Sequence, residues 1–562
     1  MDAGPGSATV RLPEPICFGI LFGTGDGISP WTANFVVAGN QFYFPAISYS
    51  FPDNNNRVSS LWRSDGTSAG TVEVPLNLPT DGDPSPDLRI DFKGELFFLS
   101  SDDEHGKEPW ITKNGGASAS FIKDINPVDT LSSLPNILNY VNGYLFFRAK
   151  DSLWQSDGSE QGTKIVVPYE DGVQEATWDK DEYGIVGDWL YFLIINSMDN
   201  QNELWRTNGT SGSMKHIYSW EGTSFYLPAG RMTGVGDLLY FAHADYGEQL
   251  WRSDGTSTGT FPVFHPEQTY HQDPTIGEIA GAGDQAFFVA DTWETGAEVY
   301  VSDGTEKGTH LVKDIVPGEG ADSDPQELIG MGDVLFFTVD DDIHGRELWR
   351  SDGTSAGTHI VKDIHQGGNG SDPAELSVFK NILYFSADDG EHGRELWRSD
   401  GTTSGTYMVK DALVEGGGIP IQLTPAQDWL YYMAWDDTNG YQPWKTDGTL
   451  SGTRMIIALE YAMWGWASDL TAVDNTLYFN LQTDHGTLAY QSDGTAEGTF
   501  AHADAFPGFG GYEYKEMTPA PGRLFFVPPY SYAGEEPAPR KCFALPCLIP
   551  PDLFAGGYLQ TL

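Results

Sequence analysis

Residues 344–364 read "HGRELWRSDGTSAGTHIVKDI", and 48 residues after His344 the chain writes "HGRELWRSDGTTSGTYMVKD" from His392 to Asp411. Near-identity at a fixed distance is the mark of a repeat architecture, in which one supersecondary unit stacks on the next. Aligned on the aromatic residue of the ELW run, ten repeats place Trp62, Trp110, Trp154, Trp205, Trp251, Tyr300, Trp349, Trp397, Trp444 and Tyr490 at intervals of 44 to 51 residues. We number the repeats 1 to 10 in that order. Each contains an aromatic run such as "LYFSA", an acidic turn such as "DDGEHG", the ELWRS run, a "DGTxxGT" turn and a "VKDI" run. The apolar runs are short, rich in Val, Ile, Phe, Tyr and Trp, and bounded by Gly, Asp and Pro, so they read as strands.

In "SDGTSAG" the Asp can accept hydrogen bonds from amides just ahead of it, and the Gly takes a positive φ that side chains resist, so the chain reverses there. Asp65, Asp157, Asp254, Asp303, Asp352, Asp400, Asp447 and Asp493 hold this place, with Asn208 and Asn114 as substitutes. In "PWITKNGG" the Asn comes one position late, which predicts a distorted turn in repeat 2.

Four strands in about 48 residues is the period of a propeller blade. Adjacent aromatics in "LFFT" (335–338) and "LYFS" (383–386) require cover on both faces, as a blade between two neighbours has. The aromatic run occurs eleven times, from Phe42–Phe44 to Leu524–Val527, but the tryptophan run ten times, which leaves the last unit incomplete. The N-terminal "GSATVRLPEP" resembles the missing outer strand. The expected fold is all-β: a single large β-propeller of 10–11 four-stranded blades closed by pairing of N- and C-terminal strands, with two smaller propellers as the alternative. Residues 1–30 would form the closure segment, 31–540 the propeller and 541–562 a tail. Cys17, Cys542 and Cys547 are the cysteines, with none in the 524 residues between the first two, so a disulfide would staple the termini or close a small loop in the tail. Three buried thiols are the other reading.

The "ELWRSDGTSAGT" and "ELWRSDGTTSGT" segments resemble the ELWxxDGT repeat family, found mostly in bacterial proteins of secreted or surface type, over nearly all of residues 30–530. The resemblance implies a propeller-like repeat architecture and brings no established reaction and no catalytic residues. "EPW" at Glu108–Trp110, "EVY" at Glu298–Tyr300 and "QPW" at Gln442–Trp444 depart from the motif.

With 31 Lys and Arg against 80 Asp and Glu, the formal net charge is −49. A surface of that sign repels phosphate backbones and anionic lipids, so nucleic acid and membrane insertion are excluded as partners, although a salt-adapted proteome would look similarly acidic. The opening "MDAGPGSATV" lacks the pattern of a secretory signal. The recurring tryptophans read as core fillers. Two loop classes should share one edge of the blades, "GEGADSDP" (318–325) and "GGNGSDP" (367–373) in the first, "DDDIHG" (340–345) and "DDGEHG" (388–393) in the second. Their carboxylates suit a hard cation, and Ca2+ at Asp340, Asp341, Asp342, Asp388 and Asp389 is the expected cofactor, against solvated turns holding no ion. His105, His344, His392 and His485 share one repeat position and are expected to hydrogen-bond loop carboxylates rather than bind zinc.

No nucleophile elbow, HExxH or phosphate loop with Lys occurs. Trp464 and Trp466, in "YAMWGWASD", are candidates for contact with a partner. The function expected from the sequence is a non-enzymatic extracellular or cell-surface binding or scaffold protein for a protein or glycan partner, or a structural subunit of a larger assembly. The alternative is a glycan-active enzyme with carboxylates in the channel.

Overall fold

The computed structural model describes most residues between Ile28 and Val527 and is continuous from 274 to 412; residues 1–27, 528–562 and several intervening loops lie outside the description. Among the described residues every regular element is a β-strand, and there is no helix long and apolar enough to cross a membrane. Repeats 2 to 10 are each a four-stranded antiparallel meander in chain order. Repeat 1 has five strands, and the eleventh aromatic run, Arg523–Val527, forms a two-stranded sheet with Lys515–Ala520. The chain divides into two compact units, one with repeats 1 and 2 and one with repeats 3 to 10.

Repeat 7 shows the plan. Its strands are Gln326–Met331, Val334–Asp340, Arg346–Ser351 and His359–Ile360. The second strand is paired on both sides, and Leu335 to Val339 are all buried. Alternation explains the doubled aromatics: Phe337 and Trp349 pack with Phe287, Val299 and Val301 of repeat 6, whereas Phe336 and Leu348 pack with Leu383, Phe385 and Trp397 of repeat 8. Each buried Phe contributes roughly 1.5–3 kcal/mol. A one-residue slip would exchange the two faces, so packing on both sides fixes the register. The motif tryptophans are core, as their recurrence suggests; Trp349, Trp397 and Trp444 are each 5% exposed.

The "DGT" turn is built as its residues dictate. Asp352 Oδ1 accepts from the Thr354 amide at 2.9 Å and its hydroxyl at 2.7 Å, Thr354 Oγ1 accepts from the Gly357 amide at 3.0 Å, and Gly353 takes a φ of 86°. Asn208 does the same with Thr210 in repeat 4. Repeat 2 is distorted as expected: Asn114 itself takes a φ of 54°, and Glu95 of the second strand supplies the carboxylate, accepting from Thr112 Oγ1 at 2.6 Å and the Gly115 amide at 2.9 Å. Asp65 lies outside the described residues.

Basic residues of repeats 6 to 8 fasten the turn of the following repeat, one lysine in repeat 6 and an arginine and a lysine in each of repeats 7 and 8. Arg350 Nη1 donates to the Gly401 carbonyl at 3.1 Å and Arg398 Nη1 to that of Gly448 at 3.1 Å. Lys313, Lys362 and Lys410 donate to the carbonyls of Thr358, Thr406 and Thr453 at 3.0, 2.9 and 3.0 Å, and each ammonium lies 5.2–5.4 Å from the centre of the next repeat's Trp349, Trp397 or Trp444 ring. Lys362→Met should therefore lower stability by about 1–2 kcal/mol in a denaturant titration, through loss of a charged hydrogen bond and a cation–π contact. The first strands of consecutive repeats lie side by side from Tyr183–Val186 to Lys515–Ala520. There the bulged Glu327 and Glu375, with φ of 54° and 61°, accept from the amides of Leu376 and Gln422 in the following repeat at 3.1 and 2.9 Å.

These sheets are propeller-like blades. The expected closure through residues near Ala8–Glu14, and Cys17, Cys542 and Cys547, lie outside the described residues.

Candidate functional site

The two acidic loop classes do meet at one edge of the sheets of repeats 7 and 8. The amides of Asp340 and Asp388 donate to the carbonyls of Ser323 and Ser371, both at 3.0 Å, joining the turn after the second strand to the loop before the first. Arg346 Nη2 reaches the mostly exposed Asp324 Oδ2 at 2.6 Å, and Arg394 Nη1 the Asp372 carbonyl at 2.7 Å.

Asp341 and His344 form a compact unit in this edge. Asp341 Oδ1 accepts from the Ile343 and His344 amides at 3.0 and 2.6 Å, and Oδ2 meets His344 Nδ1 at 2.7 Å. Asp389 treats Glu391 and His392 alike, with the ring contact at 2.7 Å, and Asp102 treats Glu104 and His105 alike, with its carboxylate 3.0 Å from the ring. Burial would raise the Asp341 and Asp389 carboxyls, but hydrogen bonds from the histidine ring and the turn amides outweigh it and hold both below the usual carboxylate range. The same hydrogen bond raises His105, His344 and His392. The histidines therefore do what their repeat position suggested; His485 lies outside the described residues.

Of the remaining predicted ligands, Asp340 Oδ1 accepts from the Asp342 amide at 3.0 Å and Asp388 Oδ1 from the Gly390 amide at 2.8 Å. Among the described residues no group of three or more His, Cys, Asp or Glu side chains could hold a metal ion. Trp464 and Trp466 lie outside the described residues.

Sequence reasoning missed a second set of carboxylates, beneath the same loops. Glu347, in the third strand two residues before the tryptophan, is fully buried; Oε1 accepts from the Ile364, His365 and Ser371 amides at 3.2, 2.9 and 3.1 Å, and Oε2 from Ser371 Oγ at 2.5 Å. Glu298 binds the Ile315 and Val316 amides and Ser323 Oγ in the same way, and Glu108 the Ile125 and Ser133 amides and Ser133 Oγ. Desolvation raises all three carboxyls to about 7 against the pull of those hydrogen bonds. In each case a Ser-x-Pro sequence follows the Glu by 24 or 25 residues, at Ser133, Ser323 and Ser371. That co-occurrence is the signal that could have found them.

These groups give stability a definite pH dependence. A buried Glu raised to about 7 is favoured protonated in the fold, so its contribution is full below about pH 4.5 and is lost as pH rises through 7. The raised histidines act in the same direction, and the lowered Asp341 and Asp389 lose their contribution only as pH falls below their ordinary 3.8. The melting temperature should be highest between about pH 4.5 and 6 and fall toward pH 8, with Glu347 alone accounting for on the order of 1–3 kcal/mol. A flat profile from pH 5 to 8 would contradict the buried carboxyl.

No protein-family profile matches this chain, and no curated protein matches it in sequence. Solved structures do match, at low identity. A puromycin hydrolase variant in complex with PGG is 14% identical, covering 61% of this chain and 57% of that one, with a TM-score of 0.30. A prolyl endopeptidase structure is 14% identical over 62% of this chain and 53% of that one, with a TM-score of 0.31. A tricorn protease is 11% identical over 87% of this chain and 46% of that one, with a TM-score of 0.24. The chain thus spans about half the length of the structures it matches. These structures are named as a hydrolase, an endopeptidase and a protease, all enzymes, and against them the expectation of a non-enzymatic binding or scaffold protein is withdrawn. The likeness transfers no catalytic residue.

Proposed function

We propose that the chain is the propeller part of an enzyme and that its acidic loop edge gathers cationic, peptide-like substrates. The observation that supports this is the loop edge itself. The "SDP" loops and the turns after the second strands meet there in successive repeats, with Asp324, Asp342, Asp372 and Glu391 exposed. Carboxylates that are weak singly sum to a potential that concentrates positive ligands and speeds their encounter. Peptide cleavage, the activity for which two of the solved structures above are named, is the reaction to assay first. Closure of the blades into one ring, membership of the ELWxxDGT family and an extracellular or surface location are parts of the same proposal.

Incubation of the full chain with lysine-rich, neutral and acidic peptides, followed by mass spectrometry and by binding at two salt concentrations, tests it. Capture or cleavage should favour the basic peptide and weaken about tenfold on raising salt from 50 to 500 mM. Equal treatment of the three peptides ends the proposal. Calcium at Asp340, Asp341, Asp342, Asp388 and Asp389 is proposed alongside: millimolar calcium should raise the melting temperature more than magnesium does, and equal shifts would mean charge screening alone.

A further inference from the structure

Where repeats 5 and 6 meet, an aromatic pair stands in place of the lysine contact of repeats 6 to 8, and a cleft lies beside it. Two residues beyond the position paired with the motif aromatic stands Lys313, Lys362 or Lys410 in repeats 6, 7 and 8, its ammonium over the tryptophan of the next repeat, whereas repeats 3, 4 and 9 have Val167, Tyr218 and Ile457 there. In repeat 5 the residue at that place is Phe264, since Trp251 pairs with Pro262. The next repeat presents Tyr300 at the motif position, where every repeat but this one and repeat 10 has Trp, and the Phe264 and Tyr300 rings lie 4.8 Å apart. Beside them is a cleft of about 260 Å³ whose walls include Phe264, Trp293, Tyr300 and Leu311, with Thr292 and the exposed carboxylate of Glu294 at its polar side. Three aromatic side chains and one carboxylate, with His310 also in the wall, offer the chemistry that holds an organic cation, because ring quadrupoles and the negative charge attract it while its methylene or methyl groups bury apolar area.

We propose that this cleft binds the ammonium group of a ligand, a free amine or the end of a lysine side chain, beside the Phe264–Tyr300 ring pair. The volume suits a group of the size of choline and excludes anything as large as a drug-sized ligand. The inference does not depend on the enzymatic reading above.

Titration of the full chain at pH 8 with choline, N-acetyl-lysine methylamide and the uncharged choline isostere 3,3-dimethylbutanol, read by tryptophan fluorescence and by broadening of the ligand's NMR lines, tests it. Saturable binding of an ammonium, at least about tenfold tighter than the isostere, is the expected result. Choline alone would assign the site to free amines, and both ammonium compounds to lysine side chains as well. Phe264→Lys should install the internal ammonium of the neighbouring repeats and abolish binding, and Glu294→Gln, at an exposed position that leaves the fold intact, should weaken it about tenfold. Isostere binding as tight as choline, binding unchanged in Glu294→Gln, or retained binding in a folded Phe264→Lys protein would overturn the proposal.

Discussion

Replacing Glu347 with alanine is expected to cost about 3–5 kcal/mol, the largest single-residue loss in the array. Three amides and the Ser371 hydroxyl converge on this buried carboxyl. With the side chain gone they have neither protein nor water to turn to, and each unsatisfied donor costs about 1–3 kcal/mol. The loss should be local first, because repeat arrays open unit by unit. Hydrogen exchange at the amides of residues 364, 365 and 371 should accelerate before that in repeats 3 or 10. Glu347→Gln is the informative companion. All three amides point at Oε1, which an amide oxygen replaces, and the amide nitrogen can donate to Ser371 Oγ. The chain already uses this solution in repeat 9, where Gln442 Oε1 accepts from the Leu459 amide at 2.7 Å. The Gln variant should lose about 1 kcal/mol or less at pH 6 and show a shallower decline toward pH 8. If it kept the full pH dependence, the titrating group would lie elsewhere.

Gly357→Ala is expected to cost about 2–4 kcal/mol, more than an ordinary glycine substitution in a turn. The reason is space. A Cβ at Gly357 would sit inside the Asp352 carboxylate, and the same collision recurs at Gly162, Gly259, Gly308, Gly405, Gly452 and Gly498 with the aspartate of each turn. The carboxylate cannot yield without breaking its bonds to Thr354. The double variant Asp352→Ala/Gly357→Ala should therefore cost less than the sum of the single ones, because removing the carboxylate removes the clash. Additive losses in that cycle would disprove the steric account.

Blades and turns were legible because they depend on local chemistry. An Asp followed by Gly and Thr dictates its own reversal, and doubled aromatics such as Phe336 and Phe337 announce two covered faces. The pairing of loop classes at one edge followed from strand order alone. What escaped were relations between repeats. The purpose of Lys362 is visible only when Thr406, 44 residues on, is placed beside it. Glu347 looks like one more surface acid among 80 until the chain returns at Ser371 to bury it. The cleft beside Tyr300 was hidden for the same reason: Phe264 is an ordinary apolar residue in sequence, and only its place against Tyr300 of the next repeat gives it a meaning. The functional expectation failed on a different ground, because the lack of a recognised motif says little about chemistry when the partners of an acid are unknown.

The fastening of repeats 7 and 8 to their successors by Arg350, Arg398, Lys362 and Lys410 runs one way only, from a repeat's own third strand and the segment after it to the turn carbonyls of the next. Each of these two units therefore carries both halves of the junction, a socket and a plug. A gene segment of one period, copied in tandem, would bring a complete set of couplings with it and need no compensating change in its neighbours. The near-identity of residues 344–364 and 392–411 is what such recent copying would leave behind. The number of blades in proteins built this way should vary more readily between lineages than the residues that join them.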